Sequence, residues 1–351
     1  MEKASRLKSP ELLPLRPEER DLSMVDFTLL WAGMTINIAA FSVGAQLYPG
    51  LAPVKILYAI LVAYLLVTLL LVLNGDIGLK YGVPFSVYMR ACFGYRGAVI
   101  PGILRSIPCF FWFGFQTWVG ALALNTIVKM SLGYSNLTVM ILFFGAIQIL
   151  NASHGLKAMA KFDWLAIPML AVVFGVIFMW LLETNDATIV DVLAAPAENT
   201  YSFSFAVMGI SGGWITMALN SPDLTRKLRC KNLEGGFWKR NKNSIIGPLV
   251  GLVLMGGFVL LVGMTSGILT GTWNPVDVVI KTFDSSNTPA LIIAFLTIAF
   301  AQWSTNTAGQ SYANRIHTDK HPAQIEFCQG RGDLWRDRNI DHALEIWGLS
   351  G

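Results

Sequence analysis

Trp112 and Gln116 stand four residues apart in "CFFWFGFQTWVGALALN", so on a helix they share one face. An indole offers a flat stacking plane, and a carboxamide offers a donor pair and an acceptor. Together they suit a planar heterocycle with amide-like edges. An isolated pair of this kind is more often ordinary packing. Here a second indole, Trp214, lies in "GISGGWITMALNSPD", and a second amide, Asn37, lies in "WAGMTINIAAFSVGAQ". Both stretches are apolar and interrupted, one by Gly33, Asn37 and Gly44, the other by Gly209, Gly212 and Gly213. A third stretch, "WSTNTA", sets Ser304, Thr305 and Asn306 in succession. Adjacent hydroxyls beside unwound backbone carbonyls could ligate a small hard cation, although Ser and Thr in helices commonly bond their own backbone.

The elements that position these residues follow from composition. The chain has 351 residues, 54% hydrophobic and 14% charged, where a soluble domain carries about a quarter charged. The apolar residues fall in long runs, which places the chain in the lipid bilayer. A crossing needs about 20 apolar residues. Eight runs qualify: 27–48, 53–74, 98–127, 137–153, 162–182, 203–220, 244–270 and 288–309. Basic residues gather before the first run (Arg6, Lys8, Arg16, Arg20) and between the sixth and seventh (Arg226 to Lys242), while the stretch 183–198 is acidic. The positive-inside rule then sets the N-terminus in the cytoplasm of a plasma-membrane protein. No cleavable leader is expected, because residues 1–26 are charged and proline-containing and the first run is long enough to span.

The first and sixth runs are expected to be broken helices. They occupy corresponding positions in two five-helix repeats, and such a pair points to the substrate site of a secondary transporter. The other use of membrane glycine is close helix packing. No Asp, Glu, Lys or Arg is placed deep inside a run, which favours sodium over a proton as the coupled ion. The four cysteines show no metal or redox spacing. The runs hold no paired carboxylates, His–Glu metal motif or Ser/His constellation, so no enzyme is expected, and no nucleic-acid partner.

The segments "LWAGMTINIAAF", "NGDIGLKYGVPFSVYMRACFGYRGAVIP", "FWFGFQTWVGALALN", "GGWITMALNSPDLTR", "WNPVDVV" and "WSTNTA" together resemble the nucleobase:cation-symporter-1 family, most closely its bacterial hydantoin and allantoin transporters. The resemblance runs from about residue 12 to residue 309. It implies an all-α membrane protein of leucine-transporter-like inverted-repeat fold, with eight of the family's twelve helices. Residues 1–26 would be a cytoplasmic segment, 27–182 the first five-helix repeat, and 183–309 three helices of the second. It implies Trp112 and Trp214 as the stacking indoles, Gln116 as the main hydrogen-bonding group, and Gly213 and Asn37 as further substrate contacts. Sodium would be held by the carbonyls of Gly33, Ile36 and Ala301 and the hydroxyls of Ser304 and Thr305. The implied cargo is a hydantoin, allantoin, purine or pyrimidine carried in symport with the cation, with no cofactor and by a monomer.

The family pattern stops at Ala308, where Gly309 and Gln310 replace an expected Ala-Asn. Removing one G from GCG GGC CAA TCT, a permitted coding of Ala308–Ser311, restores Ala-Ala-Asn-Leu. The expectation is therefore an insertion near codon 309, with residues 310–351 an out-of-frame tail and His317 and His321 no metal pair. The alternative to a working symporter is then a truncated, inactive product of such a gene.

Overall fold

The computed structural model describes residues 13–306 apart from 154–155, 275–276 and 279–287. The expected tail, with His317 and His321, lies outside the described residues. Helix α1 (Met24–Thr35) opens at a capping box: Ser23 Oγ accepts from Asp26 N at 3.1 Å, and Asp26 Oδ2 accepts from Ser23 N at 3.0 Å. Helix α2 (Ile38–Gln46) follows after two residues. Then come α3 (Pro53–Tyr81), α4 (Phe85–Gly97), α5 (Val99–Leu132), α6 (Leu137–Ser153) and α7 (Leu156–Thr184). A short α8 (Ile189–Ala194) leads to α9 (Phe203–Leu219) and α10 (Ser221–Thr225). Helix α11 (Phe237–Pro248) continues through a π-helical stretch, Leu249–Gly256, into α12 (Gly257–Thr270), and α13 spans Thr288–Asn306.

Among the described residues, four helical stretches are long and apolar enough to cross a bilayer: Pro53–Tyr81, Val99–Leu132, Asp163–Thr184 and Phe237–Thr270. The pair α1/α2, bent by 52° at its break, makes a fifth. The remaining three expected crossings are shorter apolar helices, Leu137–Asn151, Phe203–Leu219 and Leu291–Asn306. At about 1.5 Å per residue they fall somewhat short of the roughly 30 Å hydrocarbon thickness.

The first run is broken as expected, and of its three interrupting residues the break falls at Asn37, between Thr35 and Ile38. The sixth is not: α9 runs unbroken through Gly209, Gly212 and Gly213 and ends at Asn220. Glycine weakens a helix by about 1 kcal/mol but leaves its hydrogen bonds intact. Pro222, at the start of α10, removes a donor, and that break comes after the glycine cluster. A second correction concerns charge inside the spans. Arg105 and Asp163 are both buried, at 2% and 1% exposure. The run 162–182 begins after the start of its helix, whereas Arg105 lies within the run 98–127 itself. Helix α7 starts at Leu156, so Asp163 is already inside, and Arg105 sits in the second turn of α5. Its guanidinium donates to Cys109 Sγ at 2.5 Å and to Met217 Sδ at 2.9 Å. The argument that favoured sodium from an absence of buried charge therefore fails.

The broken span is central. Helix α1 packs on α7, α11 and the π-helical stretch, α2 lies along α12, α9 along α3, and α13 along α5. The α2–α12 seam is made by glycine. A Cβ on Gly263 would collide with the Phe41 carbonyl, one on Gly44 with the Leu260 carbonyl, and one on Gly267 would fall 2.5 Å from Ala45 O. Such close approach is how helices associate where lipid removes the hydrophobic drive. Gly263→Ala is expected to destabilise the detergent-solubilised protein by about 1–3 kcal/mol. Gly257→Ala is the control, since its Cβ would meet only Ile60 Cγ2 at an ordinary 3.5 Å. Thermal unfolding of the two variants side by side checks this.

Candidate substrate and cation site

A cavity of about 120 Å³ lies beside the break in the first span. Its walls include Asn37 after α1, Tyr64 from α3, Trp112 and Gln116 from α5, Gly213 and Trp214 from α9, and Thr305 from α13. All five residues assigned to substrate by the family resemblance thus line one space. Gln116 is 3% exposed, and its Oε1 is buried without a hydrogen-bond partner among the described residues. A buried acceptor left unmet costs about 1–3 kcal/mol, so a ligand N–H in the cavity would recover that cost. The indoles are held by other rings. Trp112 meets Phe115 edge-on at 5.9 Å between centroids, and Trp214 sits 6.4 Å from the buried Trp31. Nothing lies within 4 Å of a Cβ built on Gly213.

Asn37 has a structural task besides lining the cavity. Its Oδ1 caps α2 by accepting from Ala40 N at 2.9 Å, and its Nδ2 donates to Met34 O at 2.8 Å. The amide thereby satisfies backbone groups freed by the break, as membrane depth requires. Thr35 does the same in the other direction, donating to Gly251 O in the π-helical stretch at 2.7 Å.

Next to the break the five oxygen donors assigned to a cation are partly assembled. Thr305 Oγ1 lies 3.0 Å from Gly33 O, 3.3 Å from Ile36 O and 3.0 Å from Ala301 O. One hydroxyl proton cannot serve three carbonyls at once. Ser304 donates its proton elsewhere, to Asp163 Oδ1 at 2.7 Å. Its own lone pairs are therefore also spare. A buried cluster with more acceptor oxygens than protons is the donor set that suits a hard cation. The room is kept by Gly33, where a Cβ would fall 2.5 Å from Ser304 Oγ. The residues present fit a small cation.

Three features of this region were not read from the sequence. Tyr64, in the middle of a leucine-rich run, gave no periodic signal. Asp163 stands at the edge of the apolar run 162–182, where a charge does not register as buried. Asn306 is the hub of a buried amide cluster: its Nδ2 shares its two protons among Phe113 O at 3.0 Å, Thr117 Oγ1 at 3.1 Å and Gln148 Oε1 at 2.7 Å. Polar residues recurring as Thr117, Gln148 and Asn306 in three otherwise apolar helices were the available sign.

A family model described as permease for cytosine/purines, uracil, thiamine, allantoin matches residues 14–320. The chain belongs to this family. Permeases of the family are transporters rather than enzymes. Among curated relatives, the hydantoin permease of Microbacterium maritypicum is 30% identical over 312 residues, covering 88% of this chain and 64% of its own length. The allantoin permease of Bacillus subtilis is 30% identical over 336 residues, covering 88% of this chain and 65% of its own. The chain thus spans just under two thirds of the length of these permeases. A solved structure of Mhp1, a nucleobase-cation-symport-1 family transporter in a closed conformation with bromovinylhydantoin bound, superposes with a TM-score of 0.84 at 26% identity. It covers 98% of this chain and 76% of the Mhp1 chain. The fold of this permease-family chain is accordingly the all-α, leucine-transporter-like one.

The amide hub makes a direct prediction. Asn306→Leu removes the donor that joins α13 to α5 and α6 and strands Gln148 Oε1. The loss in unfolding free energy is expected to be about 1–3 kcal/mol. Asn306→Ser is expected to lose less. Chemical denaturation in detergent measures both.

Proposed function

We propose that this chain forms the binding core of a secondary active transporter that carries a planar nitrogen heterocycle across the plasma membrane in symport with sodium. The single observation that carries this reading is the buried, unpartnered Gln116 Oε1 in a cavity flanked by two indoles. A hydantoin, allantoin or nucleobase presents a flat face to Trp112 and Trp214 and an edge N–H to Gln116. Gly213 leaves α9 backbone open to the ligand, and Asn37 holds the break that shapes the cavity. The family relationship and the hydantoin and allantoin permeases among the relatives support the same cargo class.

Gly33, Ile36, Ala301, Ser304 and Thr305 would hold the cation. When bound, it supplies a positive charge shared between α1 and α13, so that its loss loosens the contact of these helices. Thr305 lines the substrate cavity and also touches all three of these carbonyls. This shared residue is the physical link between cargo and ion. The orientation we assign is N-terminus inside, with the basic loop 226–242 in the cytoplasm. Residues 27–182 act as the first five-helix repeat and 183–306 as the described part of the second, in a protein that works as a monomer.

Two experiments test this. Trp112→Ala and Gln116→Leu are each expected to weaken binding of the preferred heterocycle about tenfold or more, since one stacked ring is worth about 1–3 kcal/mol. Unchanged affinity in both variants would sink the site. Thr305→Val keeps the shape and removes the hydroxyl. It is expected to raise the sodium concentration needed for half-maximal heterocycle uptake into proteoliposomes at least several-fold. Uptake driven by a proton gradient with no sodium present would instead overturn the coupling ion.

A further inference from the structure

We infer that Asp163 is the anionic member of the cation site, supplying the charge that the five neutral oxygens lack. This rests on the reading of that site as a cation site and adds a residue to it. Asp163 comes from α7, a helix outside the assigned ligand set, and is 1% exposed. One carboxylate oxygen accepts the Ser304 proton at 2.7 Å. The other, Oδ2, is buried without a hydrogen-bond partner among the described residues. A Cβ built on Gly33 would fall 3.0 Å from this Oδ2 and 3.1 Å from the carboxyl carbon. The free oxygen therefore faces the same turn of α1 whose carbonyl approaches Thr305.

A carboxylate in this position needs a partner. Buried charges are found paired or coordinated to metal, because desolvation is otherwise too costly. No basic side chain is paired with Asp163 among the described residues, and Ser304 is its one hydrogen-bonding side chain there. From the other side, carbonyl and hydroxyl oxygens offer a monovalent ion only partial charges. A carboxylate next to the Gly33 turn neutralises that ion within the membrane. It also accounts for the Ser304 hydroxyl, which donates its proton to Asp163 and keeps its lone pairs. Asp163 would then join α7 to α1 and α13 through the ion, so three helices meet at one charge.

The test measures ion binding directly, apart from transport. Radioactive sodium binding to the purified full chain in detergent is compared for the wild type, Asp163→Asn and Ser304→Ala. Asp163→Asn is isosteric and is expected to lower sodium affinity about a hundredfold, as truncating one partner of a buried charge pair does. Ser304→Ala is expected to lower it much less. Equal affinity in wild type and Asp163→Asn overturns the assignment while leaving the transporter reading intact. Should Asp163→Asn fail to fold, carbodiimide labelling of the wild type decides, read by mass spectrometry of the Asp163 peptide. Protection by sodium but not by N-methylglucamine is expected, and labelling indifferent to sodium overturns the proposal. A wild type that binds no sodium at all, yet binds a heterocycle, overturns both the cation site and its carboxylate.

Discussion

One constraint organises this molecule: backbone polar groups exposed at membrane depth must find partners inside the protein. The first span breaks at Ile36–Asn37, and the side chains of Asn37, Thr35 and Thr305 serve groups near the break. Asn37 ties both halves with its own amide, Thr35 reaches the π-helical stretch, and Thr305 arrives from α13 to meet the Gly33 and Ile36 carbonyls. The substrate cavity and the oxygen cluster both adjoin this break and share Thr305. Binding chemistry here is what remains after the backbone has been satisfied.

The sequence made much of this legible, for identifiable reasons. A span that carries Asn between two apolar halves has few solutions in lipid, so the Ile36–Asn37 break could be anticipated. The indoles and Gln116 stood out because polar and large flat side chains are rare in such runs. Glycine was the misleading signal. Clustered in α9 it implied unwinding, yet the helix passes through intact and stops at Asn220. The same residue type in α2 and α12 turned out to make a packing seam. Local sequence does not distinguish the two uses, because the difference lies in the neighbour across the interface.

Asp163 shows the opposite failure. Hydropathy reads a charge at the margin of an apolar run as the end of a helix. Helix α7 begins at Leu156 and carries the carboxylate inward to Ser304 and the Gly33 turn. The amide cluster of Asn306, Gln148 and Thr117 was hidden for a related reason. Its members come from three helices far apart in the chain and meet only once these pack.

The glycine seam between α2 and α12 has a mechanical meaning. With backbone against backbone at Gly44, Gly263 and Gly267, these helices have no side-chain cushion between them. Interlocked surfaces of this kind slide poorly. The second half of the broken span is therefore geared to α12, and through α12 to the π-helical stretch and α11 that continue it. A displacement of α2 would be carried along the continuous rod of α12, the π-helical stretch and α11.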